Sequence, residues 1–218
     1  MKVNGSIPMI IEGAEGMYEG NLIHYFRVVF NHAQNLLRPY HNFRHMLHVT
    51  WQCYNACRFH SSDLSPRHMR MILIAALFHD FDHSGMTGHD DLNIARAMRG
   101  LEKYILAEDW AIKGDIIHLI RVTEFPYKIP SSDLDLPGLI IRDADMTQAL
   151  DPVWMQEVLF GLATEWKKAP VDVLKTQEGF LGQLNFHTRW AQTTFPKEVI
   201  DSKIMECRQL LEFLGEKK

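Results

Sequence analysis

Three short stretches of this 218-residue chain concentrate imidazole and carboxylate side chains. The first is Tyr40-His41-Asn42-Phe43-Arg44-His45, in which His41 and His45 stand four apart and on a helix would project from one face. The second, His79-Asp80-Phe81-Asp82-His83, closes the longest apolar run of the chain, Met71 to Phe78. The third, Asp143-Ala144-Asp145, comes just after Leu139-Ile140-Ile141. Burying such groups beside apolar helix is costly unless they are paired or bound to metal. Read together, His45, His79, Asp80 and Asp145 are a nitrogen and oxygen ligand set with no cysteine. That set suits Zn²⁺, Fe, Mn²⁺ or Mg²⁺ rather than an iron–sulfur centre. A carboxylate can bridge two ions, and two ions about 3.5–4 Å apart suit phosphoester hydrolysis. Each piece alone is more often structural than catalytic. Their conjunction, each beside buried helix, favours a site.

The elements that must position these groups are helical. Leu22, Phe26, Val29, Ala33 and Leu37 recur at spacings of three and four, which predicts an amphipathic helix over about 17–37, ended by Pro39. A second helix is predicted over about 43–60. A third begins at Ser65-Pro66, an N-cap followed by proline in the first turn, and its core-like run predicts burial on all sides. After the Ser84 to Gly88 turn come helices over about 90–107 and 109–123. The stretch Phe125 to Pro137, with three prolines, reads as loop, and helices restart near Gly138, at Asp151-Pro152, near Pro170 and at Pro196. Strand alternation is nearly absent. The expectation is an all-α bundle of eight to ten helices over residues 1–218 as one domain.

Composition excludes several classes. The 23 Lys and Arg against 27 Asp and Glu give a formal charge of −4, without the basic footprint of a duplex nucleic-acid binder. No apolar run approaches the roughly 20 residues that span a bilayer. Pro8 and Glu12 interrupt the only N-terminal apolar stretch, so no secretory signal is expected. Three cysteines make no disulfide framework, and Cys53 and Cys57 read as core. The expectation is a soluble, cytoplasmic protein in a reducing compartment.

The order His…His-Asp…Asp on a helical chain resembles the HD superfamily of metal-dependent phosphohydrolases. Pro39-Tyr40-His41-Asn42-x-x-His45 resembles the first motif of class I cyclic nucleotide phosphodiesterases. His79-Asp80-x-Asp82-His83-x-Gly85, Thr123-Glu124-Phe125 and Ala144-Asp145-Met146-Thr147 resemble later motifs. Gln177-Glu178-Gly179-Phe180-Leu181 is similar to the segment that carries the family's nucleobase glutamine and clamping phenylalanine. Ser84, His48, Gln148 and Glu124 depart from the pattern, and the Asp145 to Gln177 interval is compressed. The chain has the short length of a microbial or viral member.

The resemblance implies that His45, His79, Asp80 and Asp145 hold a first ion, Zn²⁺ or a similar transition metal. Asp80 would also reach a second, more hydrated Mg²⁺ or Mn²⁺. It implies hydrolysis of a 3′,5′-phosphodiester in a cyclic nucleotide or cyclic oligonucleotide messenger by a hydroxide bridging the ions. His41 would protonate the departing sugar oxygen, through an acceptor at its other nitrogen that the sequence does not identify. Asp82 and His83 would orient water around the metals, with Asp91, Asn93 or Glu102 as partner for His83. Tyr40, Gln177 and Phe180 would contact substrate. The implied partner is a small nucleotide, with neither duplex nucleic acid nor membrane, and a homodimer is compatible with such a bundle. Two other readings compete: an HD-type nucleoside monophosphatase, and a non-catalytic module that binds or sequesters a nucleotide messenger.

Overall fold

A computed structural model describes residues 7–13 and 16–216. Among these are eleven α-helices and no strand: α1 (Ile7–Glu12), α2 (Ile23–His32), α3 (Phe43–Phe59), α4 (Pro66–Phe78), α5 (Asp90–Tyr104), α6 (Lys113–Arg121), α7 (Leu136–Met146), α8 (Phe160–Trp166), α9 (Pro170–Gly182), α10 (Arg189–Thr194) and α11 (Lys197–Phe213). The all-α expectation holds. No helix of the described residues is long and apolar enough to cross a membrane.

Helix α4 is the centre. Every residue from Met69 to Phe78 is buried, and α3, α6 and α7 pack around it. A run this apolar has no face to offer water, so its neighbours must cover it on all sides. Its start is fixed as the sequence predicts: Ser65 Oγ accepts from His68 N, and Pro66 opens the first turn. Helix α3 starts where Asn42 Oδ1 accepts from Arg44 N and His45 N. The α3–α4 hairpin therefore returns the end of α4, with His79 and Asp80, to the start of α3, with His45. Helix α7 brings Asp145 to the same end.

Two buried arginines fasten irregular chain to this frame. Arg70 on α4 forms a fork with Asp109 at 2.7 Å for each of Nε–Oδ1 and Nη2–Oδ2, and its Nη1 donates to Glu19 O and Asn21 O. Arg142 on α7 donates to Val122 O and Ile129 O and lies over the Tyr127 ring. The neighbouring Asp143 accepts from His187 N and from Thr188 N and Oγ1, which fixes the start of α10. In Asp143-Ala144-Asp145 the first acid is thus an anchor for the chain.

Some boundaries differ from expectation. The 17–37 helix is reduced to α2, because Gly20 turns at φ +64° and Asn21 Oδ1 accepts from Ile23 N. At its far end Ala33 is extended and residues 34–38 turn, so Leu37 is exposed rather than packed. The 109–123 segment opens as a 3₁₀ turn, Ala107–Ile112, before α6. The helix expected from Asp151-Pro152 is a turn leading into a π-helical stretch, Met155–Leu159, and then α8.

Phe81 anchors the loop between α4 and α5. Its ring stacks on Phe78 and lies against Gly100 of α5, where a Cβ would come within 2.4 Å of Phe81 Cδ1. Gly100→Ala is therefore expected to destabilise the fold by about 1–3 kcal/mol through overpacking, more than the helix propensity it gains. Urea unfolding of the two proteins measures this difference.

Candidate metal centre

His45 from α3, His79 and Asp80 from the end of α4 and Asp145 from α7 converge. The two imidazole Nε2 atoms are 3.3 Å apart. Asp145 Oδ1 lies 3.2 Å from His45 Nε2 and 3.5 Å from His79 Nε2. Asp80 Oδ2 lies 3.4 and 3.6 Å from the same two nitrogens. His79 Nδ1 is 2.8 Å from Ala76 O, and His45 Nδ1 is 2.7 Å from Gln148 Oε1. A carbonyl oxygen only accepts, so these contacts put the ring proton on Nδ1 of each histidine. Both Nε2 atoms then turn lone pairs toward each other and toward two carboxylates. Asp80 Oδ2 is buried with no hydrogen-bond partner.

Four lone-pair donors this close repel one another unless positive charge lies among them. A proton on one Nε2 would serve one acceptor and leave the others facing lone pairs. A divalent cation serves all four, so the donor set fits a metal ion. The electrostatics point the same way. Burial pushes the His79 imidazole down, but Asp80 and Asp145 outweigh it and lift it to about 9. Burial works against the Asp80 carboxylate, yet the surrounding imidazoles, His79 foremost, hold it at about 2. Asp145 is likewise held far below the usual carboxylate range, against its burial, by the neighbouring imidazoles of His45 and His79. The cavity stabilises cationic charge.

His41 stands beside this cluster in a different arrangement. Its Nδ1 donates to Glu165 Oε1 at 2.5 Å, while Glu165 Oε2 accepts from Tyr40 N at 3.0 Å and His41 N at 3.2 Å. The Glu165 side chain is only 1% exposed. It reaches this position because Gly85, at φ +71°, has no Cβ; one there would lie 2.9 Å from Glu165 Cδ. Burial opposes ionisation of Glu165, but the bond to His41 holds its carboxyl below the usual range. Burial draws His41 below the ordinary histidine value, and Glu165 acts in the opposite direction. His41 Nε2 has no hydrogen-bond partner among the described residues.

The other expected site residues divide. Tyr40 lies against both His41 and His45, with ring centroids 4.7 and 4.9 Å away. His83 stacks on His41 at 3.7 Å. Its Nδ1 accepts from Gly85 N, and its Nε2 lies 2.8 Å from the Asn93 amide nitrogen. Asp82 is turned away: its carboxylate accepts from Gln34 N and lines a separate cavity. Gln177 is buried and Phe180 half-buried on α9. No described hydrogen bond or ring contact joins either to the cluster.

Three residues escape the sequence reading. Glu165 is the acceptor for His41. Its one local sign is an acid in the last turn of α8, where the helix dipole favours a cation. Gln148 orients His45. Asn35, buried, donates to His41 O and Asp80 O at 2.8 Å each and accepts from Asp82 N, which ties the first two motifs together. Nothing local marks Asn35. Gln148→Leu removes the acceptor that holds His45 in its ligating tautomer and is expected to weaken metal affinity by about 10–100-fold. Competition against a metallochromic chelator reads this directly, with circular dichroism as the control for folding.

A search of curated proteins found no match to the chain. A family model described as 3′5′-cyclic nucleotide phosphodiesterase matches residues 40–99. That stretch holds His41, His45, His79, Asp80 and His83, while Asp145, Glu165 and Gln177 lie beyond it. Over the segment that supplies both ring nitrogens of the cluster and the neighbouring His41, the sequence is similar to the cyclic nucleotide phosphodiesterase family.

Proposed function

We propose that this protein is a metal-dependent phosphodiesterase that hydrolyses a 3′,5′-phosphodiester of a cyclic nucleotide or cyclic oligonucleotide. The observation that carries this reading is the pairing of two devices: a cluster of four donors fit for a divalent cation, and a His41–Glu165 pair beside it. His45, His79, Asp80 and Asp145 would hold the ion, of zinc type, with Asp80 contributing the unpartnered Oδ2, and the same carboxylate would reach a second ion such as Mg²⁺ or Mn²⁺. When bound, such ions supply Lewis acidity toward water and phosphoryl oxygens.

The remaining chemistry falls to the chain itself. An alkoxide sugar oxygen is a poor leaving group unless protonated. His41 with a proton at Nδ1 toward Glu165 has Nε2 left to carry a second proton to that oxygen. Glu165 fixes the ring orientation and favours the charged imidazolium, while burial makes that imidazolium a readier donor. The stack of His41 on His83 limits rotation of the ring. Tyr40 forms an aromatic wall beside both imidazoles. Gln177, able to donate and accept, and Phe180, an aromatic surface, are proposed to recognise the base.

Product analysis of metal-supplemented protein with a panel of cyclic mononucleotides and cyclic oligonucleotides tests the reaction. Cleavage to linear products is expected. Release of inorganic phosphate from nucleoside monophosphates, with diesters untouched, would overturn it. His41→Ala should lower turnover by about 10²–10⁴-fold while elemental analysis finds the metal content unchanged. Glu165→Gln removes the charge that raises the His41 pKa. A general acid acts only below its own pKa, so the alkaline limb of the pH–rate profile should move to lower pH in this variant. An unmoved limb would mean that Glu165 does not act through His41.

A further inference from the structure

On the far side of the His79–His83 loop lies a cavity of about 370 Å³, lined by His32, Asp82, Arg96, Arg99, Lys103 and Tyr104 among others. Arg96, Arg99 and Lys103 follow one another at spacings of three and four, so they share one face of α5. None of them forms an ion pair with the described residues. Arg96 Nη1 donates to the neutral Asn93 Oδ1 at 3.0 Å. Lys103 Nζ lies over the Tyr104 ring, whose plane is stacked with His32. The one acid of the lining, Asp82, is engaged by Gln34 N at 2.7 Å and sits in left-handed backbone at φ +62°. In a chain of net charge −4, three cations line this cavity against the one carboxylate of Asp82, which forms an ion pair with none of them.

Like charges on one helix face repel, and a concave surface strengthens their joint field. A multivalent anion relieves this. Guanidinium forks and an ammonium suit phosphate oxygens in particular. The cavity also shares structure with the candidate site. Asn93, which holds Arg96 through Oδ1, has its Nδ2 2.8 Å from His83 Nε2, and His83 stacks on His41. Gln34 precedes Asn35, the residue that ties His41 O to Asp80 O.

We propose that this cavity is a second site, which takes a phosphate-bearing small molecule and slows turnover when filled, by drawing Arg96 away from Asn93 and loosening His83. The effect on turnover rests on the reaction proposed above; the binding does not.

The test uses metal-loaded protein, inorganic phosphate as the probe, and Arg99→Glu/Lys103→Glu as the variant. Both replaced side chains are exposed and lie outside the candidate site, so melting, metal content and basal turnover should be unchanged. At fixed ionic strength, phosphate should shift the backbone amide resonances around Arg96, Arg99 and Lys103 saturably, and the variant should bind there at least tenfold more weakly. Phosphate should also inhibit diester hydrolysis less in the variant. Chloride reproducing the resonance shifts, or equal shifts in the variant, would overturn the site, since simple screening acts without it. Equal inhibition of both proteins would overturn the coupling. If no diester is hydrolysed by either protein, the proposed reaction fails and the resonance titration still decides the cavity.

Discussion

Two ring nitrogens 3.3 Å apart, each with its lone pair turned toward the other and toward two carboxylates, cannot rest together unless positive charge comes between them. Much of the surrounding structure serves to keep them there. Ala76 O and Gln148 Oε1 fix the ring protons on the far nitrogens. The burial of α4 on every side prevents the end that carries His79 and Asp80 from turning to water. The α3–α4 hairpin and α7 then bring four donors from three helices to one point. Such a cluster is unfavourable to folding when empty of charge and favourable to a cation, so the rigidity of the frame and the affinity of the centre have one origin.

The loop from His79 to Gly85 is where the demands meet. Phe81 drives into the core against Phe78 and the bare backbone of Gly100. Asn35 joins its Asp80 carbonyl to the His41 carbonyl. Gly85 withdraws far enough for Glu165 to pass and reach His41. Asp82, between two residues of the candidate site, faces the opposite way in left-handed backbone, as an Asp can with modest cost. One short segment thus presents Asp80 and His83 to one side and Asp82 to the other, which is how the basic cavity comes to lie back to back with the donor cluster.

The separation of roles within each motif follows from where each helix begins and how its backbone directs each side chain. In Asp143-Ala144-Asp145 the two acids point to different neighbours: one anchors the start of α10, and one joins the cluster. His41 and His45, four residues apart, do not share a helix face as their spacing suggests, because His41 precedes the Asn42 cap of α3: its ring points to Glu165, and His45 points into the donor cluster. Spacing alone suggests that two side chains share a face. It does not say that they share a partner.

Residue chemistry and period are local, and they carried the helical class, the capped start of α4, its complete burial and the four donors of the cluster. Each of those depends on a residue type and its near neighbours along the chain. The break of the expected 17–37 helix was also written locally, in Gly20 and Asn21, but the apolar spacing was the louder signal. Glu165, Gln148 and Asn35 were decided by the tertiary structure. Glu165 lies 124 residues from His41, and a carboxylate, an amide or an asparagine of that kind is no different in sequence from many on the surface. What sets them apart is the direction of their hydrogen bonds toward the cluster and its neighbours, and that direction exists only once the helices have packed.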